Sequence, residues 1–177
     1  MLVKYIEREH MNNIILIGFM GCGKTTAGQQ LAKRLGYDFL DTDKYIEQKQ
    51  GQPVSRIFET QGEEVFRRME TETVRDFVGI LQRTVLSVGG GLPITPGNAD
   101  LLKELGTVIY LEASKEVLAA RLKSDTTRPL LVDKEGSNRM EALYDYRLPR
   151  YEEAAHIKIV TEGKNLLEVV NSILESI

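Results

Sequence analysis

A glycine-rich turn directly after a strongly apolar segment constrains the fold of this chain more than any other feature. The segment "IILIG" (14–18) runs into "FMGCGKTT", so that Gly18, Gly23, Lys24 and Thr25 match the P-loop pattern Gly-x-x-x-x-Gly-Lys-Thr. In this pattern a buried strand leads into a turn whose backbone N–H groups converge on phosphate oxygens, and the positive end of a helix follows. The turn therefore predicts a strand–loop–helix unit that binds a nucleoside triphosphate.

The positions of this loop have expected roles in ATP binding. We expect Lys24 to reach the β- and γ-phosphates and the Thr25 hydroxyl to ligate Mg²⁺. The other loop residues that we assign to ATP binding are Gly21, Cys22, Gly23 and Thr26.

Apolar segments typical of strands alternate with helical patterns along the chain. The first, third and fourth of these segments lack polar alternation, as expected for central parallel strands that are covered on both faces. Apolar stripes typical of helices lie at 25–35, 62–81 and 165–177, and Ser114 is placed to cap a further helix. The expected strands are "IILIG" (14–18), "YDFLD" (37–41), "TVLSV" (84–88), "TVIYL" (107–111) and "HIKIV" (156–160). This alternation predicts an α/β domain with a parallel sheet.

Length and composition limit the class of protein. The chain has 177 residues, which suits one domain, and we take that domain as 1–177. A net charge of -3 does not favour nucleic acid or a membrane surface as a partner. No apolar run approaches the ~18 residues expected of a membrane-spanning helix. The single cysteine and a charged N-terminal segment without signal-peptide character predict a cytoplasmic protein.

Two segments fall outside the alternation of strands and helices. Residues 1–12 precede the first strand and are expected to form an N-terminal extension. The segment "SDTTRPLLVDKEGSN" (124–138) has no helical or strand pattern. Loops longer than ~12–15 residues in a compact domain are usually functional lids or disordered, and we expect a lid here.

The acidic pair Asp41 and Asp43 follows the second expected strand and has two interpretations. The acids could begin a helix, where negative charge is favoured. Alternatively they could share a charged ligand, because positions i and i+2 of an extended segment point the same way. The neighbouring P-loop favours the second interpretation.

Other classes of P-loop protein fit the sequence less well. A GTPase requires a guanine-specific Asn-Lys-x-Asp, which is absent. The segment "LSVGG" (86–90) is only faintly similar to the transporter-ATPase signature. The chain is also too short for such a module and lacks an apolar run that ends in Asp-Glu. A small kinase is the remaining class.

Several short segments occur in the order typical of one kinase family. They are "GFMGCGKTT" (18–26), "DTD" (41–43), "FRRME" (66–70), "VGGG" (88–91), "TTRPLL" (126–131) and "RLPRY" (147–151). Together they resemble shikimate kinase over essentially the whole chain from Asn13 onward. The resemblance implies a three-layer P-loop kinase fold, similar to that of nucleoside monophosphate kinases. Its five-stranded parallel sheet would have the order 2-3-1-4-5, with helices on both faces and a lid.

The resemblance also implies a reaction. A member of this family phosphorylates the 3-hydroxyl of shikimate with ATP and Mg²⁺, in aromatic amino-acid biosynthesis. We expect ATP and shikimate to be the partners of this chain, and we expect the chain to act as a monomer.

The resemblance assigns the two acids to different partners. Asp41 would act on the metal side beside Thr25, through water. Asp43 would bind the substrate hydroxyls and act as the candidate base that orients the attacking 3-hydroxyl. Arg67 would clamp the substrate carboxylate, because a planar guanidinium matches a planar anion. Glu70, three positions later on the same helix face, would hold that arginine in position.

Four further sites carry implied roles. The glycines Gly89, Gly90 and Gly91 let a ligand approach the backbone closely, and the Gly90 amide would meet the substrate. Arg147, just before a Pro149 at which the helix should kink or end, would be the second carboxylate clamp. Arg128 in the 124–138 segment would stabilise the γ-phosphate. Arg121 would stack on adenine.

Two rival functions remain open from the residues alone. A gluconate or nucleotide kinase would share the fold, and gluconate would also call for an arginine at its carboxylate. A non-catalytic nucleotide-binding module is disfavoured because Lys24, Thr25, Asp43 and Arg128 are all present.

Overall fold

The protein is a five-stranded parallel sheet between layers of helices. The structure is a computed structural model, and it describes residues 13–122 and 136–177. The strands are β1 (Ile14–Ile17), β2 (Asp38–Asp41), β3 (Thr84–Ser87), β4 (Thr107–Glu112) and β5 (Ile157–Val160). Their order is β2-β3-β1-β4-β5 and every neighbouring pair is parallel. The predicted fold class and strand order are confirmed.

Helices connect successive strands and cover the sheet. Their bounds are α1 (Lys24–Leu35), α2 (Thr42–Gln50), α3 (Val54–Gln61), α4 (Glu63–Phe77), α5 (Asn98–Leu105), α6 (Lys115–Leu122), α7 (Gly136–Ala154) and α8 (Leu166–Ser176), with a short 3₁₀ helix at Leu92–Ile94. Within the described ranges, no helix is long and apolar enough to cross a membrane. Strands β1 and β3 are buried along their whole length, which explains why they lack polar alternation.

Two sequence-based expectations about helix ends need correction. The helix expected over 62–81 ends at Phe77, and Gly79 follows with a φ of 77°, a backbone conformation that a helix cannot continue through. Helix α7 does not end at Pro149 but runs to Ala154. The fully buried Tyr151 packs its ring 5.3 Å from that of Tyr110 on β4, so tertiary packing holds the last turn of α7 against the sheet.

The predicted Ser114 cap is confirmed, because its hydroxyl accepts a hydrogen bond from the Val117 N–H at 3.4 Å. Of the lid predicted at 124–138, residues 124–135 lie outside the described residues. Residues 136–138 belong to α7, so the predicted boundary at 138 is wrong. Arg128 and the N-terminal extension 1–12 also lie outside the described residues.

Candidate active site

The P-loop joins β1 to α1 at the carboxyl end of the sheet. Gly18 has a φ of 145°, and a Cβ there would lie 2.6 Å from the Leu111 carbonyl oxygen on the neighbouring β4. Gly23 has a φ of 98° and immediately precedes α1. Only glycine fits both conformations without strain, so the loop can fold tightly over the strand end. The N-terminal N–H groups of α1 are thereby presented at the mouth of the loop.

The Lys24 ammonium lies across this loop. Its Nζ donates to the Gly18 carbonyl at 2.8 Å and to the Phe19 carbonyl at 3.0 Å. These neutral oxygens hold the cation within the cradle, where an anionic phosphate oxygen would be a stronger acceptor. Lys24 therefore lies in the wall of the P-loop cavity, and its contact with phosphate stays a prediction.

Asp41 has two functions in the structure, one for each carboxylate oxygen. Oδ2 accepts a hydrogen bond from the Thr25 hydroxyl at 3.1 Å. Oδ1 accepts from the backbone N–H groups of Asp43 and Lys44, at 3.1 and 3.3 Å, so Asp41 is the N-cap of α2. The helix-start and ligand-site interpretations of this acid are therefore compatible.

Asp43 reaches the same site by a different geometry from the one expected. It lies in the first turn of α2 and not in an extended segment, so the alternation of a strand does not direct it. Both acids nevertheless line the same two cavities, because α2 begins directly at the end of β2.

Two cavities meet along this edge of the sheet. The smaller, of about 300 Å³, is lined by the P-loop and the first turn of α1. The larger, of about 530 Å³, is lined by α2, α3, α4, the glycine turn Gly89–Gly91 and Arg147. Residues that line both are Met20, Thr25, Asp41, Asp43, Gly89 and Gly90. The P-loop cavity thus opens directly onto a second cavity with arginines in its wall.

Arg67 and Glu70 form an ion pair in the wall of the larger cavity. Arg67 Nη1 donates to Glu70 Oε2 at 2.7 Å, and Nη2 donates to Glu63 Oε1 at 2.8 Å. The Arg67 side chain is only 18% exposed and that of Glu70 is fully buried. Burial raises the pKa of Glu70 to about 7, although Arg67 acts in the opposite direction. Burial lowers the pKa of Arg67, but pairing with Glu70 and Glu63 outweighs it and raises that pKa.

The ring contacts of Arg67 complete this wall. The rings of Phe58 and Phe66 lie 5.9 and 5.6 Å from its Cζ, within the range of cation–π attraction. Both aromatic residues line the larger cavity, and Phe66 is also part of the core. The guanidinium is thus held by two carboxylates and two rings.

The three glycines of the turn make room for charged side chains of the chain itself. A Cβ on Gly89 would lie 2.6 Å from both Asp43 Oδ1 and Glu70 Oε1. A Cβ on Gly91 would overlap the guanidinium of Arg67. The sequence predicts a close approach of ligand to backbone, and the structure adds that these side chains already occupy the space above the turn.

Arg147 on α7 reaches the same turn at the neighbouring glycine. Its Nη1 would lie 3.2 Å from a Cβ on Gly90, and its Cζ lies 5.7 Å from the Phe19 ring. Arg147 is 4% exposed, and its Nε has no hydrogen-bond partner among the described residues. A buried cationic group with an unused donor is suited to an anionic ligand.

The remaining predicted residues lie around the P-loop cavity or outside it. Gly21, Gly23 and Thr26 line that cavity, whereas the Cys22 side chain is buried beneath the loop. Arg121 Nη1 donates to the Gly21 carbonyl at 3.1 Å, which places α6 beside the loop. Arg121 itself does not line either cavity.

Two residues that sequence reasoning assigned no role hold the glycine turn. The Thr42 hydroxyl accepts a hydrogen bond from the Gly89 N–H at 3.0 Å. The Tyr151 hydroxyl donates to the Gly90 carbonyl at 2.6 Å. Thr42 lies between the two acids and Tyr151 ends the "RLPRY" segment, but neither position by itself indicates a partner in a distant loop.

Comparison with known proteins is consistent with this site. A family model described as shikimate kinase matches residues 20–177. The shikimate kinase of Dechloromonas aromatica is 44% identical over 159 residues, which are 90% of this chain and 85% of the relative. The solved structure of the Acinetobacter baumannii shikimate kinase in complex with shikimate superposes with a TM-score of 0.89 at 37% identity. That match covers 97% of this chain and 95% of the other.

The rival class is represented among more distant structures. A gluconokinase from Sinorhizobium meliloti superposes with a TM-score of 0.60 at 19% identity, over 95% of this chain and 92% of the other. Identity at this level indicates a shared fold and nothing about the substrate.

Proposed function

Because this chain belongs to the shikimate kinase family, we infer that it transfers the γ-phosphoryl group of ATP to the 3-hydroxyl of shikimate. The products are shikimate 3-phosphate and ADP. The observation that carries this inference is the junction of the two cavities, where Asp43 lines both the P-loop side and the arginine-lined side. A phosphoryl donor in one cavity and an alcohol acceptor in the other would meet at that carboxylate.

We assign the nucleotide to the P-loop cavity. The N–H groups of Gly21, Gly23 and the first turn of α1 would bind phosphate oxygens, and Lys24 would exchange its two carbonyl acceptors for phosphate. Arg121 lies beside the loop through its bond to Gly21, and we keep it as the candidate contact for the adenine.

A divalent metal accompanies ATP in this kind of reaction, and the residues present fit Mg²⁺. The Thr25 hydroxyl and the Asp41 carboxylate converge at 3.1 Å, which gives two oxygen donors next to the phosphate cradle. Mg²⁺ prefers oxygen ligands and usually takes only one or two from the protein, with phosphates and waters completing the shell. We therefore assign Thr25 as a ligand and Asp41 as a second ligand through water. When bound, the ion would neutralise charge on the phosphates.

We assign the acceptor to the arginine-lined cavity. Arg67 lies against Gly91 and Arg147 against Gly90, and together they would bind the carboxylate of shikimate. Glu70 and Glu63 fix the Arg67 guanidinium before the substrate arrives, so little conformational entropy is lost on binding. The Gly90 N–H would bind the same acceptor.

Asp43 then orients the reacting hydroxyl. With the carboxylate held at the far wall, the acceptor would present its hydroxyl towards Asp43 and the P-loop. Asp43 would accept the hydroxyl proton as the oxygen attacks the γ-phosphorus in line with the leaving ADP oxygen. Lys24 and Arg128 would stabilise the negative charge on the transferring group. Positioning and electrostatics thus account for the catalysis.

One experiment separates this function from its rivals. A coupled assay of ADP release is run with shikimate, gluconate and AMP as acceptors. We expect turnover with shikimate and background rates with the other two. Preferred turnover of gluconate or AMP would support the related kinase class. An absence of turnover with every acceptor would favour a nucleotide-binding module. The single domain 1–177, a monomeric state and a cytoplasmic location remain predictions of the sequence.

A further inference from the structure

We propose that Thr42 and Tyr151 are positioning residues that fix the Gly89–Gly91 turn and thereby set the affinity for the acceptor. The proposal rests on the proposed function, because it concerns the cavity assigned to shikimate. Neither hydroxyl group binds a ligand or reacts in this role. Thr42 acts through the backbone of the turn, and the Tyr151 hydroxyl bonds the same backbone and also interacts with the Arg147 side chain.

The geometry around the turn supports this role. The Thr42 hydroxyl accepts from the Gly89 N–H at 3.0 Å, and the Tyr151 hydroxyl donates to the Gly90 carbonyl at 2.6 Å. The Gly89 carbonyl accepts from the Leu92 N–H at 3.0 Å. The peptide groups on both sides of Gly90 are therefore held by separate hydrogen bonds.

The Gly90 N–H is the remaining backbone donor of the turn. Within residues 13–122 and 136–177, no group accepts a hydrogen bond from the Gly90 N–H. In a trans peptide the N–H and the carbonyl point in opposite directions. The bond from Leu92 to the Gly89 carbonyl thus also fixes the direction of the Gly90 N–H, which is left available at the cavity wall.

Glycine is the residue type that most needs such restraint. Three consecutive glycines have more conformational freedom than any other tripeptide, and ordering them is entropically costly. At the same time the charged groups of Asp43, Glu70, Arg67 and Arg147 lie directly over these residues. A small rotation of either peptide would move the turn into those groups, so its conformation determines where they can lie.

Thr42 and Tyr151 are hidden from any ligand. Both residues are 0% exposed and neither lines either cavity. Thr42 is anchored at the first turn of α2 between Asp41 and Asp43, and Tyr151 is anchored by its ring against Tyr110. Each hydroxyl is therefore presented by a different helix, Thr42 by α2 and Tyr151 by α7.

The test uses substitutions that remove one polar atom and keep the shape. Thr42→Val removes the acceptor, Thr42→Ser retains it, and Tyr151→Phe removes only the phenolic oxygen. Matched controls are Thr161→Val, which removes a buried hydroxyl bonded to the Glu112 carbonyl at 2.8 Å, and Tyr144→Phe, which removes one bonded to the Ala113 carbonyl at 3.1 Å. Both controls lie away from the glycine turn.

We expect Thr42→Val and Tyr151→Phe each to raise KM for shikimate about tenfold, the usual effect of losing one buried hydrogen bond. KM for ATP should stay within about twofold of wild type, because the groups assigned to the phosphates lie on the P-loop and α1, although Gly89 and Gly90 also line that cavity. Thr42→Ser should restore most of the shikimate affinity. The two control variants should lower Tm comparably but leave KM for shikimate unchanged.

Three outcomes would overturn the proposal. KM for shikimate could be unchanged in folded Tyr151→Phe, the controls could raise it equally, or both KM values could rise together. If Thr42→Val fails to fold, Tyr151→Phe and Thr42→Ser decide the question. If wild type itself does not phosphorylate shikimate, the proposed function fails. If wild type is active and the variants match it, only this inference fails.

Discussion

The hydroxyl of Thr25 on α1 donates a hydrogen bond of 3.1 Å to Asp41 at the end of β2, and the second oxygen of the same carboxylate caps α2. One acid thus joins the P-loop to the helix that carries Asp43. Because a cap residue fixes where its helix begins, the position of Asp43 depends on Asp41 as well as on its own packing.

Asp43→Asn tests the base. The amide keeps the shape of the side chain but accepts no proton, so we expect kcat to fall by about 10²–10⁴, the usual contribution of general acid–base catalysis. The affinity for ATP, measured by calorimetry, should remain near that of wild type because the P-loop is intact.

A matched control for this variant is Asp76→Asn, an exposed acid on α4 that pairs with Lys49 at 3.4 Å. It should leave kcat unchanged. Wild-type turnover by Asp43→Asn would contradict the role of Asp43 as base.

Arg67→Lys tests the carboxylate clamp. Lysine keeps the charge but lacks the planar fork, and it cannot satisfy Glu70, Glu63 and a ligand together. We expect KM for shikimate to rise about 10- to 100-fold, as for loss of a charged hydrogen bond, with a smaller change in kcat. Steady-state kinetics at saturating ATP measure both.

The neighbouring Arg68 is the control for the clamp. It is exposed and pairs with Glu64 at 2.9 Å, so Arg68→Lys should behave as wild type. Equal effects of the two substitutions would show that Arg67 has no special contact with the substrate.

Gly91→Ala tests whether the glycine turn serves the side chains above it. Gly91 has a φ of -91°, which alanine adopts readily, but the added methyl group would overlap the Arg67 guanidinium. A flexible side chain can move aside, so we expect little change in Tm and a large rise in KM for shikimate.

Gly106→Ala provides the contrast, because its methyl group would collide with the backbone of Asn13. Backbone cannot move aside cheaply, so this variant should lose Tm while KM for shikimate stays unchanged in the folded enzyme. A Gly91→Ala enzyme with normal KM would mean that Arg67 does not need its observed position.

Glu70→Gln tests the buried carboxyl through the pH dependence of stability. Burial raises the pKa of Glu70 from its ordinary value of 4.5 to about 7 in the folded chain. Between these values the folded chain retains a proton that the unfolded chain has released. The free energy of unfolding therefore contains a contribution that is fully present below pH 4.5 and is lost as pH rises through about 7.

We expect Glu70→Gln to flatten this part of the profile, measured by urea denaturation from pH 4.5 to 8. The exposed Glu72→Gln on the same helix is the control and should retain the wild-type slope. An unchanged slope in Glu70→Gln would mean that the Glu70 carboxyl is already ionised in the folded chain throughout this range.

Local sequence patterns predicted the P-loop and the central strands of the sheet. The Gly-Lys-Thr spacing located Lys24 and Thr25, and the fully apolar segments at 14–18 and 84–88 identified the central strands. These features can be read from the sequence because a tight turn requires glycines at fixed positions and a buried strand requires an unbroken apolar segment. The family motifs also named Arg67, Glu70 and Arg147, which line the larger cavity.

The dual use of Asp41 and the place of Asp43 in a helix could not be predicted with the same rules. Both interpretations of the acidic pair fitted the local sequence, and the extended geometry was wrong because α2 begins one residue after Asp41. Likewise, of the kink or end expected at Pro149, the end did not occur, because α7 continues to Ala154 and the buried Tyr151 holds its last turn.

The sequence by itself determined the phosphate-binding loop and the parallel α/β architecture, because the loop pattern and the alternation of strands and helices can be read from short segments of chain. It also named the charged residues of the candidate site. Only the tertiary structure decided how those residues share a site. Thr42 meets Gly89 across 47 residues, and Tyr151 meets Gly90 across 61. Hydrogen bonds over such separations depend on how the sheet and helices pack, and so does the burial that raises the pKa of Glu70.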